Sequence, residues 1–369
     1  MKSCISRWAP TAVGAVAVLT LLGVVGAVAA ESAVSEGAVA GVRASQWIVV
    51  DADSGAVLAA HDERTPVRPA STIKLLTALL AVGQLDPAVP ITISPVAKSM
   101  PARRMGMPIG EQWTRDDLVH AALMASANDA AVALAEAVGQ GSLMRYAVVA
   151  QSVGERMGLE DQPFLAEPAG LDDEHAFAGG SLISARDLAI IARAVLADDL
   201  LAPILTLDRY DMAGLDGVGH YVLGHNRLLD RYPGAVGMKT GGTRAAGSTL
   251  VAAARRDGRT IIAVLLRSPD MYTEAAMLLD LGFASPQGPP LAGDVLPAVV
   301  PGVATTIAIP DVGEAERSTD HASDRPLSIG DVPQNRDQAV LMALVTIAVT
   351  QSRRPMTRRH APREMALPR

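Results

Sequence analysis

Cysteine is all but missing: the 369-residue chain has one, Cys4, near its start. With no cysteine cluster and seven histidines at no metal-ligand spacing, neither a required metal nor another cofactor is expected. Basic residues are in deficit. Lys and Arg number 32 against 39 Asp and Glu, a formal net charge of −7 that gives no reason to expect nucleic acid as a partner. Internal repeats are absent. What the chain does have is apolar residues, 49% of the total, on a length sufficient for one large domain or two.

The two ends differ from the middle. Lys2 and Arg7 precede an apolar run from Thr11 to about Ala30, and Ala27-Val28-Ala29 has the small-x-small pattern of a cleavage site. Residues 1–29 therefore read as a secretory signal, with 30–43 as a leader; an uncleaved membrane anchor is the alternative. Cys4 lies in the basic region and not at a lipobox position, so a lipid anchor is not supported. Cleavage leaves a mature chain without cysteine, working outside the cytoplasmic membrane with no disulfide. At the other end, residues 285–336 read as a Pro-containing linker with at most a short strand around 305–309. The apolar run Ala339–Val349 is followed by Arg353, Arg354, Arg358, Arg359 and Arg363. That segment, 337–369, is read as membrane-associating, with an interfacial helix and a solvated tail as alternatives.

The middle is organised around Pro69-Ala-Ser71-Thr-Ile-Lys74, which opens an apolar helical run through Leu75, Leu76, Leu79 and Leu80. Ser71 and Thr72 are residue types that favour a helix N-terminus. Ser71 and Lys74 then stand one turn apart on one face. A serine hydroxyl is a weak nucleophile until a neighbouring base takes its proton. A lysine enclosed by apolar walls loses charge readily and becomes such a base.

Around this helix the chain alternates in period. Ser45–Val50 and Ala56–Ala60 read as strands about the turn Asp51-Ala-Asp53-Ser54-Gly55. Residues 87–101 read as extended and turn-rich. Helices are expected from Thr114, interrupted at Ser126-Ala-Asn128-Asp129 and resuming to Gly139, then over Leu143–Met157, and from Ser184 to Leu196. Strands follow at Gly237–Gly241, Ser248–Arg255 and Thr260–Arg267, the last two about Asp257-Gly258, and a closing helix at Thr273–Leu281. The fold class is therefore α/β in the α+β sense, with one antiparallel sheet built from both ends of the domain, flanked by helices and holding a helical insertion. The domain is expected at residues 44–284.

Three short motifs thus stand on a helix start, a helix break and an inner strand: Ser71-x-x-Lys74, Ser126-x-Asn128 and Lys239-Thr240-Gly241. This is the set of the penicillin-recognising serine enzymes. The chain resembles the D-alanyl-D-alanine carboxypeptidases of the low-molecular-mass penicillin-binding group, a likeness supported by Gly170-Leu171 with Ser184-Ala-Arg-Asp-Leu188, by Gly237–Thr243 and by Leu278–Phe283. The resemblance implies removal of the terminal D-alanine from peptidoglycan stem peptides, β-lactams as inhibitors, and work in the cell envelope. It implies that Ser71 attacks, that Lys74 takes its proton and that Ser126 relays a proton to the leaving amine. Asn128 would bind substrate and orient Lys74, while Lys239 and Thr240 hold the substrate carboxylate. The backbone N–H groups of Ser71 and Gly242 would form the oxyanion hole, and Gly241 would leave room for a close backbone.

The match has departures. Many members carry an arginine for the carboxylate where Met271 and Tyr272 stand here, so Arg267, or else Arg244, is the expected substitute. Glu167-Pro-Ala-Gly-Leu171 stands where members often have Asn-Pro-x-Gly-Leu. The long C-terminal β-domain of some members has no counterpart. Alternatives on the same fold are a serine β-lactamase and a transpeptidase or endopeptidase; a cell-wall binding protein without turnover is the non-enzymatic one. Glu167 invites the β-lactamase reading, but Leu171 occupies the position where that class has asparagine.

Overall fold

A computed structural model describes residues 39–212, 214–215, 217–286 and 294–305. The chain divides into two units, Met1–Val42 and Arg43–Arg369. The expected signal segment, residues 1–29, and the expected membrane-associating tail, 337–369, lie outside the described residues. Among the described residues, no helix is long and apolar enough to cross a membrane.

Strands β1 (Gln46–Asp51), β2 (Val57–His61), β7 (Ala235–Thr243), β8 (Gly247–Arg256) and β9 (Arg259–Leu266) form a five-stranded antiparallel sheet. Their order across it is β2-β1-β9-β8-β7. β1 and β9 are continuous apolar runs, and both are buried almost throughout, as central strands covered on two faces should be. Their pairing, from Gln46 opposite Leu266 to Asp51 opposite Ile261, joins the two ends of the domain as expected. Asp257 and Gly258 both have φ near +50° to +80°, as a two-residue turn between β8 and β9 requires.

Helices fill the long excursion between β2 and β7. They are α1 (Lys74–Gln84), α2 (Pro95–Ser99), α3 (Arg115–Met124), α4 (Asn128–Val138), α5 (Leu143–Met157), α6 (Ala185–Leu196), α7 (Leu201–Ile204) and α8 (Leu228–Arg231). Side-chain caps start several of them: Thr114 Oγ1 accepts from Asp117 N at 3.0 Å, and Ser184 Oγ accepts from Asp187 N at 2.9 Å. α1 is buried from Lys74 to Ala81 and forms the spine of the helical part. The closing helix α9 (Met271–Ala284) lies on the sheet. Its buried Glu274 accepts from Ala44 N at 3.0 Å and from Ser268 Oγ at 2.7 Å, fixing the start of the domain to its end.

Several expectations need correction. Ser71 and Thr72 do not cap α1. A 3₁₀ turn, Ala70–Ile73, precedes the helix, and Thr72 Oγ1 donates back to Pro69 O at 2.7 Å. Residues 87–101 hold α2 and the small strand β3 (Ile91–Thr92), which pairs with β4 (Gln112–Trp113). A hairpin of β5 (Arg209–Met212) and β6 (His220–Leu223) was not expected. The domain does not stop at 284. Residues 294–305, placed in the linker from composition, return to its surface and bury Leu296, Val303 and Ala304. Asp294 takes a two-pronged contact from Arg186 at 2.5 and 2.6 Å, Leu296 N donates to Gly55 O at 2.8 Å, and Gln84 Nε2 donates to Ala304 O. Polar contacts share the task of holding this strap with those buried side chains, and the recurring prolines without periodic patterning are why the sequence reads as a linker.

Candidate active site

The 3₁₀ turn sets Ser71 at the head of α1, half-buried, with Lys74 fully buried one turn on. Lys74 Nζ is 2.8 Å from Ser71 Oγ, 2.8 Å from Asn128 Oδ1 and 2.5 Å from Ala169 O. Ser71 Oγ also donates to Ala169 O at 3.3 Å. An ammonium would donate to all three acceptors around Lys74. A neutral amine donates to two of them, Asn128 Oδ1 and Ala169 O, and turns its lone pair to the serine hydroxyl. Burial favours the neutral form: it pushes the Lys74 amine down to about 7, Arg103 acts in the same direction, and Glu167 and Asp129 act against it.

The break between α3 and α4 brings the second motif here. Ser126 adopts φ +57°, the left-handed region that short polar residues tolerate, and the chain turns into the cleft. Asn128 begins α4. Its Nδ2 donates to Pro101 O at 3.0 Å and its backbone N to Arg103 O at 2.7 Å. Asp129 accepts from Met105 N at 3.0 Å and Gly106 N at 2.8 Å, so the loop carrying Arg103 is held against the same helix end.

β7 supplies the third motif. Lys239 is buried, and its Nζ donates to Ser126 Oγ and to Thr240 O, each at 2.9 Å. Burial pushes this amine well below its usual range, with Lys74 and Arg103 adding to the shift. Thr240 is half-buried and Gly242 exposed on the same strand. Among the described residues β7 pairs only with β8, so half of its backbone groups face outward to the cleft. At Gly241 a Cβ would come within 2.8 Å of Ser71 N; glycine lets the nucleophile's backbone lie against the strand.

The structure thus brings together Ser71, Lys74, Ser126, Asn128 and Lys239, with Thr240, Gly241 and Gly242 alongside. Arg267 lies one residue past β9, exposed, at φ +55°, with its Cα beside Gly247 at the start of β8. The outside cation that acts on both Lys74 and Lys239 is Arg103. The motifs carried no signal for it, because only the fold of the 101–106 loop brings it near. The same holds for His225, whose ring burial, Arg103 and Lys239 together hold toward the neutral form. For metals, Asp173, Glu174 and His175 are the one suitable group among the described residues. They are largely exposed and pair with one another, and nothing in the Ser71 cluster depends on them.

The fold, with its serine–lysine pair between a helix bundle and a sheet edge, is that of the penicillin-binding serine peptidases. A crystal structure of D-alanyl-D-alanine carboxypeptidase from Mycobacterium tuberculosis H37Rv superposes with a TM-score of 0.60 at 32% identity, covering 69% of this chain and 94% of that one. A mutant of the Streptomyces K15 DD-transpeptidase shares the fold at 24% identity, with a TM-score of 0.59, over 66% of this chain and 99% of the other. In sequence, the chain is 34% identical over 247 residues to the D-alanyl-D-alanine carboxypeptidase DacB2 of Mycobacterium tuberculosis, 65% of this chain and 82% of that protein. It is 28% identical over 258 residues to DacF of Bacillus subtilis, 68% of this chain and 64% of that longer protein. Residues 31–270 match the D-alanyl-D-alanine carboxypeptidase family, and the chain belongs to it.

Proposed function

We propose that this chain is a serine-type carboxypeptidase that removes the terminal D-alanine from peptidoglycan stem peptides through an acyl-enzyme at Ser71. The observation that carries this is the buried Lys74 amine, held 2.8 Å from Ser71 Oγ and fixed by Asn128 and Ala169. Lys74 takes the serine proton as Ser71 attacks the carbonyl between the two D-alanines. The backbone N–H groups of Ser71 and Gly242 stabilise the developing oxyanion. Ser126, bonded to Lys239, passes a proton to the leaving D-alanine. Water then releases the shortened peptide. Residues 1–29 as export signal and 337–369 as a membrane-associating segment complete the proposal, placing the enzyme in the cell envelope.

The test is intact-mass analysis with a penicillin, then peptide mapping. One adduct on the peptide holding Ser71 is expected; no adduct, or one elsewhere, overturns the reading. The adduct should also be long-lived. Glu167 would be the general base of a β-lactamase, but its carboxylate accepts from the backbone N–H groups of Gly170 and Leu171 and is 1% exposed. Burial and these bonds leave it poorly placed to activate a deacylating water. Rapid release of hydrolysed penicillin would favour the β-lactamase alternative.

For the substrate carboxylate, we propose Lys239 and Thr240, with Arg103 reinforcing the positive field and Arg267 as the rival candidate. Arg103→Ala should lower kcat/KM on D-Ala-D-Ala peptides about tenfold, the scale of one lost charged hydrogen bond, and spare a substrate lacking the free carboxylate. Arg267→Ala should change both within about threefold. The reverse pattern would move the role to Arg267.

A further inference from the structure

Behind the nucleophile lies a carboxylate that the mechanism above does not use. Glu167 is buried like the core around it, yet it is ionisable. Its Oε2 accepts from Gly170 N and from Leu171 N at 2.8 Å, and the Ala169 N–H bonds to the carboxylate as well. The side chain therefore folds under its own turn and ties three successive backbone N–H groups. The turn is held at other points too. Ser181 Oγ accepts from Glu167 N at 2.9 Å and donates to Glu167 O at 3.0 Å. Thr77 Oγ1 of α1 donates to Pro168 O at 2.7 Å. At the centre of this turn is Ala169 O, the acceptor shared by Lys74 Nζ and Ser71 Oγ. Gly170, at φ +83°, packs so tightly on the Ser71 turn that a Cβ would lie 2.7 Å from Ser71 N.

We propose that Glu167 is a positioning residue of the acylation step: its carboxylate clamps the 167–171 turn so that Ala169 O orients Lys74 and Ser71, and its charge stands behind the base. The proposal rests on the Ser71–Lys74 reading. The clamp and the charge have separate consequences. A buried peptide carbonyl oriented by three N–H bonds has little freedom, and small displacements of a catalytic base are costly. A carboxylate near a buried amine favours its protonated form, and Glu167 does this to Lys74. Burial pushes the Glu167 carboxyl up to about 7, against Lys74 and the turn's N–H groups, which lower it. The other groups around the pair are Asp129 from α4, Arg103 from the 101–106 loop and Lys239 from β7 on the Lys74 side, and Tyr146 from α5 on the Glu167 side.

The sign follows. With the Glu167 charge removed, Lys74 gives up its proton more readily, so neutral amine is present at lower pH. In Glu167→Gln the amide oxygen still accepts from the turn, but the charge is gone. In Glu167→Asp the charge remains, but the shorter side chain does not reach all three N–H groups. The measurement is the rate of acylation by a fluorescent penicillin across pH, after thermal unfolding has shown that each variant is folded. Glu167→Gln should keep the plateau within about threefold and move the acid limb down by about one pH unit. Glu167→Asp should keep the limb near the wild-type pH and lower the plateau by ten- to a hundredfold. A Glu167→Gln limb at the wild-type pH, or a Glu167→Asp plateau at the wild-type rate, overturns the proposal. If Glu167→Gln does not fold, the Glu167→Asp plateau decides. A wild-type enzyme that is not acylated at all removes the functional reading itself, whereas normal wild-type acylation with unaltered variants removes only the role of Glu167.

Discussion

Ser71→Ala should abolish covalent labelling by penicillin and reduce release of D-alanine to the background rate, while the protein unfolds at nearly the wild-type temperature. The expected loss is the whole covalent pathway, because among the hydrogen-bond partners of Lys74 Nζ only Ser71 offers a hydroxyl to form the ester. The fold should survive because little depends on the hydroxyl. Ser71 Oγ makes two contacts, with Lys74 Nζ and Ala169 O, and each of those atoms keeps the other as a partner at 2.5 Å. A lost hydrogen bond of this kind costs roughly 0.5–1.5 kcal/mol. Tight non-covalent binding of penicillin should remain, since Lys239, Ser126 and Thr240 are untouched. Labelling that persists in Ser71→Ala would end the assignment of the nucleophile.

How far the sequence predicts this arrangement depends on the range of the interactions involved. β1, β8 and β9 were legible because a strand covered on both faces is a continuous apolar run, and the Asp257-Gly258 turn has a local signature. The caps at Thr114 and Ser184 were legible for the same reason: donor and acceptor are three residues apart. The 3₁₀ turn at Ala70–Ile73 was not. Ser71 is drawn off the capping position by Lys74, Ala169 and the close approach of Gly241, and two of these three come from distant segments. Tertiary contacts also decide the 294–305 strap, through Arg186 and Gln84.

The site divides in the same way. Ser71, Lys74, Ser126, Asn128 and Lys239 were identifiable because three short motifs occur in a fixed order. Arg103 was not, since its nearness to Lys239 depends on Asp129 clamping Met105 N and Gly106 N some two dozen residues away in sequence. For Arg267 the local pattern does not reach: the chain leaves β9 at Leu266 and the next residue turns to φ +55°, so the alternation of faces that would aim it from sequence stops one residue earlier. Glu167 was visible as a departure from a motif and as the residue that invites a β-lactamase reading. Its burial and its bonds to the turn could not be read from Glu-Pro-Ala-Gly-Leu.

Lys74→Ala carries the other large expected effect. Acylation by penicillin should slow by about 10²- to 10⁴-fold, the usual contribution of a positioned general base, while reversible binding persists. The pH dependence should change with it. In the wild type the Lys74 amine lies lowered to about 7, first by burial and then by Arg103. Below that pH it holds a proton and cannot accept another; above it the lone pair is free. Wild-type acylation should therefore rise with pH through neutrality and then level off. Lys74→Ala should lose this limb, because the group that titrates is gone. Removing the amine also leaves Asn128 Oδ1 without its buried donor and Ala169 O with Ser71 Oγ alone, so some stability should be lost, and the comparison is made below the unfolding temperature of the variant. Near-normal acylation in Lys74→Ala would move the base elsewhere. A slow variant that keeps the wild-type pH limb would show that Lys74 positions Ser71 but does not take its proton.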